Sequence, residues 1–157
     1  MTIATSATAL VNPGSGVSAE NATHTGDVTG YTGEDVQYNP SGPNQTITVT
    51  FNQSASNVSF TLYDIDRSAR IDVDAYDASA VAQNVNVATY GASILTITNN
   101  NSTGTYVTAN STSLGNASND GTATFTINST IKSFVITVTT VGSDAVFWLS
   151  DINACIT

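Results

Sequence analysis

The sequence predicts an all-β domain, a two-sheet antiparallel β-sandwich of the jelly-roll kind with about nine to eleven strands. Three features predict it. Leu, Lys, Glu, Arg and Met are scarce, while Thr, Val, Ile and aromatics dominate. Apolar and polar residues alternate over short runs, which is the period of a strand with one buried face. Turn-forming clusters separate those runs at intervals of about 8–12 residues.

In chain order, the opening stretch of about 34 residues is irregular. Gly14, Gly16, Gly26, Gly30 and Gly33 suit a long loop with room for two short strands. Residues 46–52 (TITVTFN) set Ile47, Val49 and Phe51 on one face. Residues 58–66 (VSFTLYDID) do the same with Val58, Phe60 and Leu62, then carry Asp64 and Asp66 onto that side. In RIDVDAY at 70–76, Ile71, Val73 and Ala75 oppose Asp72 and Asp74, whose shared polar face reads as solvated. Residues 85–89 and 94–98 continue the pattern, and residues 122–128 (TATFTIN) turn Ala123, Phe125 and Ile127 inward. Residues 134–141 alternate more loosely. Residues 145–152 (AVFWLSDI) are apolar on both faces up to Ser150, as in a central strand. Turns fall at residues 39–44, 77–79, 99–104, 114–121 and 142–144. No internal repeat supports a propeller or solenoid.

The 157 residues are expected to form a single domain, excised from a larger protein and led by an added Met. Hydrophobic residues reach 40%, enough for a core, but charged residues only 10% against roughly 25% in typical soluble domains. The surface must therefore be built from Thr, Ser and Asn, a composition common among exported bacterial β-proteins. Twelve acids against Lys132, Arg67 and Arg70 leave a net charge of −9. No basic stripe exists for phosphates, which argues against nucleic acid, and the sign argues against anionic membrane surfaces. No apolar run reaches the roughly 18 residues of a membrane span. Cys155 is the only cysteine, so no intrachain disulfide can form, and it reads as a strand-end thiol. The Asn-x-Ser/Thr triplets arise by chance in a chain so rich in those residues.

The sharpest chemical feature is YDIDR at 63–67. On a strand, Asp64 and Asp66 point to one side, about 7 Å apart. They also continue the face that carries Val58, Phe60 and Leu62. Two carboxylates at the rim of an apolar face repel and are partly desolvated. A bound cation, Arg67 or Arg70 must compensate, and calcium (Ca2+), which needs several oxygen ligands, is the favoured candidate. Catalysis has little support: His24 is the only histidine, both Glu precede residue 35, and no Gly-x-Ser-x-Gly elbow is present. Aromatic candidates for stacking on a ligand are Tyr31, Tyr38, Tyr90, Tyr106 and Trp148. Phe147 and Trp148 point to opposite faces of their strand.

Taken together, VSFTLYDID, the following strand ending in YDASA, and the closing WLSDI resemble a group of bacterial extracellular jelly-roll domains. These are similar to galactose-binding-type carbohydrate-binding modules of surface adhesins and secreted enzymes. The likeness spans about residues 46–155, and Ala80 stands where the group often has Gly. It implies a structural calcium ion held partly by an Asp on the last strand, so Asp64, Asp66 and Asp151 are the metal candidates it carries over. First-loop ligands are drawn by chemistry alone from Glu20, Asp27, Glu34 and Asp35. The expected function is a non-catalytic, calcium-stabilised binding module, secreted or at the cell surface, with a carbohydrate or surface glycan as partner alongside neighbouring domains of a parent chain. The alternatives are a calcium-stiffened adhesin module without a ligand of its own, and a small hydrolase.

Overall fold

In the computed structural model, residues 1–5, 19–21, 34–38, 44–91, 93–114, 120–140 and 147–157 are described. They form thirteen strands and no helix. The first four are β1 (Thr2–Thr5), β2 (Ala19–Asn21), β3 (Glu34–Tyr38) and the long β4 (Gln45–Tyr63). Next come β5 (Arg70–Tyr76), β6 (Ala82–Gln83), β7 (Asn86–Tyr90), β8 (Leu95–Thr98) and β9 (Thr105–Ala109). The last four are β10 (Thr122–Ile127), β11 (Ile131–Thr140), β12 (Phe147–Leu149) and β13 (Asn153–Ile156). The count exceeds nine to eleven because β6, β9 and β13, of two to five residues, have no counterpart in the alternation of the sequence.

Every pairing between these strands is antiparallel. β4 links two layers. Its first half pairs with β1 on one side and β11 on the other, and β5, β9 and β8 follow outward from β11. Its second half pairs with β10, which leads to β7, and on its other side with β12 and β13; β3 and β2 follow from β12. β4 can serve both because its inward set changes parity. Ile47, Val49, Phe51 and Ala55 are buried before the switch, and Val58, Phe60 and Leu62 after it. Asn57 sits between the two sets with φ 50, a left-handed residue that inserts one extra position and bends the strand.

The core lies between the layers. The Phe60 ring stacks on Phe125 of its own layer at 5.3 Å and on Phe134 of the opposite layer at 4.7 Å, and Phe51 approaches Phe134 at 6.3 Å. β12 is central, as its apolar run predicts: it lies between β3 and β4, and Phe147, Trp148 and Leu149 are all buried. Phe147 and Leu149 join the main core cluster, whereas Trp148 and its cross-strand neighbour Tyr63 are buried outside it.

Candidate functional site

Two regions gather polar groups. The first is the turn after β4. The alternation of the sequence places Asp64 and Asp66 side by side on a strand; the structure ends the strand at Tyr63. Asp64 takes φ 61, and Arg67 and Ser68 take φ 51 and 63, so the chain leaves the pleat at Asp64. The turn is pinned by backbone bonds: Ile65 N–H donates to Gly121 O at 2.9 Å, Arg67 N–H to Thr112 O at 3.0 Å and Ser68 N–H to Asn110 O at 2.7 Å. Asp66 is only 5% exposed. Its Oδ2 accepts the Leu114 N–H at 2.7 Å and lies 3.6 Å from Arg67 Nε.

Burial, then the charge of Asp66, pushes the Asp64 carboxyl up to about 7 against a partial pull downward by Arg67. Burial also raises Asp66, opposed by the Leu114 N–H and Arg67. The two carboxylates are therefore short of positive charge, as the sequence suggests.

Asp151 does not complete that pair. Ser150 N–H donates to Thr61 O at 2.9 Å and Ser150 Oγ accepts the Thr61 N–H at 2.8 Å, so the chain runs antiparallel to β4 and away from Asp64. Asp151 follows Ser150 in that direction. Asp151 is exposed. Within the Ser-Asp-Ile run it is Ser150, 8% exposed, that has the firm role, extending the ladder where β12 stops. Among the described residues no three His, Cys, Asp or Glu side chains could hold one metal ion. Calcium takes six to eight oxygens, so an ion at this turn would need backbone carbonyls, water or other side chains beside these two carboxylates. Glu20 lies on β2, paired with Asp35 of β3, and Asp27 lies outside the described residues.

The aromatic candidates separate. Trp148 is 1% exposed, so it is a buried structural residue and not a stacking platform: β12 is central and both its faces are covered. Tyr90, at the end of β7, is 57% exposed. Tyr38 is on β3 opposite Phe147, and Tyr31 lies outside the described residues. The Arg70 guanidinium stacks over Tyr106, 3.7 Å from its centroid, and pairs with Asp72 at 2.6 Å. Asp72 also accepts the Thr139 hydroxyl. It is therefore tied into a network and not simply solvated.

The second region was not singled out from the sequence. A cleft of about 350 Å³ opens beside β6, lined by Gln83, Asn84, Asn86, Asn101, Asn128 and Ser129, with Ala82 at its edge. Its walls come from both layers. β6 borders β5 of one layer, and Asn86 starts β7 of the other. The crossing at residues 128–130 joins β10 to β11. The walls are braced. Asn100 clamps the outer edge of β7, accepting Val87 N–H at 2.7 Å and donating to Val87 O at 3.0 Å. The Thr105 hydroxyl bonds Val85 O at 2.8 Å, and Asn101 N–H donates to Val85 O at 2.9 Å. Asn99 and Asn101 adopt φ 54 and 56, a conformation Asn tolerates better than most residues. Gln83 donates to Asp77 Oδ2 at 3.3 Å and to Val81 O at 3.2 Å. The side-chain amides of Asn84, Asn86, Asn101 and Asn128 bond no other described residue. Tyr90 is four positions along β7 from Asn86, about 13 Å away. The sequence signal is the asparagine-rich stretch at 99–104, whose composition marks a turn.

No family model and no curated protein matches this chain. Among the solved structures that match, CsCBM6-3 from Clostridium stercorarium in complex with cellobiose aligns over 95% of this chain and 91% of its own, with 13% identity and a TM-score of 0.35. At that level the fold rests on the strand pairing described above.

Proposed function

We propose that this chain is a non-catalytic binding module for a neutral carbohydrate, working in a secreted or cell-surface protein. The amide-lined cleft carries the reading. Each sugar hydroxyl both donates and accepts, and a side-chain amide offers two donors and an acceptor, so four free amides in one cleft match a polyol. About 350 Å³ lies at the small end of the ~300–1,000 Å³ range of small-molecule sites, which suits one or two sugar units. None of the lining side chains titrates near neutral pH, so the cleft offers no general acid or base for bond cleavage. It also offers no cation for a uronate or sulfate, and the net charge of −9 repels both. Affinity gels and a glycan array test the proposal. Retention on neutral glycans, lost in the combined Asn86→Ala and Asn128→Ala variant without a change in melting temperature, is expected. No retention on any glycan overturns it.

A second reading is a calcium-stiffened adhesion module without a ligand. The mutual repulsion of Asp64 and Asp66 favours it, because a cation drawing further oxygens from elsewhere would relieve that repulsion. It requires a melting temperature that climbs with calcium and no glycan retention.

A further inference from the structure

The turn at residues 128–130 holds a group the rest of the fold does not use. Ser129 lines the cleft, yet its Oγ is sealed from solvent and has no hydrogen-bond partner among the described residues. A buried hydroxyl left unpaired is destabilising. The neighbouring hydroxyls and amides behave differently: Thr105 Oγ1 reaches Val85 O, Asn99 O and Ser102 O, and Asn100 satisfies both polar groups of Val87. Among the described residues of the cleft lining, Ser129 thus stands as the one buried hydroxyl without a partner.

We propose that Ser129 is a ligand-binding hydroxyl of the amide-lined cleft, turned into it by rotation about χ1 to exchange hydrogen bonds with a sugar hydroxyl. The inference rests on the carbohydrate reading above. Rotation between staggered serine rotamers needs no backbone movement. It also breaks no bond, because Ser129 Oγ has none to lose within the described structure. The ligand relieves an existing penalty and does not have to compete with an internal partner. Ser129 shares the cleft lining with Asn86 and with its chain neighbour Asn128, so one sugar ring can meet an amide and the hydroxyl together.

The test uses the full chain and two readouts. The probes are neutral gluco-, xylo-, manno- and galacto-oligosaccharides, titrated calorimetrically against wild type, Ser129→Ala and Thr122→Val. The last is a control: Thr122 Oγ1 is also buried without a partner but does not line the cleft. Expected results are a melting temperature for Ser129→Ala equal to or above wild type, an affinity about fivefold or more below it, and wild-type affinity for Thr122→Val. A lowered melting temperature for Ser129→Ala would mean that the hydroxyl is already paired in the free protein, and overturns the inference whatever binds. Wild-type affinity for Ser129→Ala on a glycan that wild type does bind also overturns it, leaving the carbohydrate reading intact. Absence of binding by wild type overturns both.

Discussion

Asp64 is the residue whose chemistry the fold changes most. Its carboxyl is raised from 3.8 to about 7, so the folded chain holds a proton that the unfolded chain has released. The resulting stabilisation is full below pH 3.8 and is lost as pH rises through about 7. In EDTA the melting temperature should therefore fall between pH 5 and pH 8, and Asp64→Asn should flatten that slope and be the more stable protein at pH 8. Calcium bound at this turn would reverse the sign at pH 8, raising the melting temperature in wild type and not in Asp64→Asn. Thermal unfolding at both pH values, with and without calcium, decides between the two. Ser150 offers a second residue-scale test. Its Oγ accepts the Thr61 N–H at 2.8 Å, so Ser150→Ala should destabilise by about 1–3 kcal/mol in urea unfolding. The sequence pointed to the carboxylate repulsion, since two Asp at the end of an apolar face are visible in a string of letters. It could not reveal φ 61 at Asp64, because a non-glycine residue enters that region only when surrounding contacts hold it there.

Among the elements, β4 and the turn after it depend most on special backbone. Asn57 at φ 50 lets one strand serve two layers. Asn57→Val should cost about 1–2 kcal/mol, because a β-branched residue resists the left-handed region, while Asn57→Gly should be nearly neutral. Gly121 holds the partner side of the Asp64 turn at φ 86, and a Cβ there would lie 2.8 Å from Ile65 O and 2.6 Å from Leu114 Cδ1. Gly121→Ala should therefore be destabilising by more than about 1–2 kcal/mol, measured by urea unfolding. Strand β5 was legible residue for residue, since RIDVDAY alternates without interruption. β4 looks like two strands in the sequence because the parity change at Asn57 hides its continuity. β9 leaves little mark on the sequence: TYVTA buries Thr105, and a buried threonine breaks the apolar alternation of a strand.

At the scale of the whole molecule, the buried strand β12 and the amide-lined cleft are built from different strands. Trp148 is a keystone of β12 and not a platform, so Trp148→Ala should destabilise by about 3–5 kcal/mol while the folded fraction keeps its glycan affinity. The cleft variants should do the opposite. The cleft exists because β6 of one layer, β7 of the other and the crossing between β10 and β11 meet there. Its ligand selectivity should follow its charge: neutral oligosaccharides bind, and the corresponding uronates or sulfates bind at least about tenfold more weakly, with the difference shrinking as salt screens the acidic surface.

Local patterning determined the all-β class, the buried faces of the major strands, the central place of β12 and the acidic stress at Asp64 and Asp66. Each follows from residues two to a few positions apart, over which the pleat itself dictates which side chains share a face. Tertiary structure alone decided that Asp151 stands away from that pair, that both faces of β12 are covered, and that amides from residues 84, 86, 101 and 128 line one cleft with Ser129. Those outcomes depend on strand register and on which sheet edges meet, and long-range pairing leaves no periodic mark on the sequence.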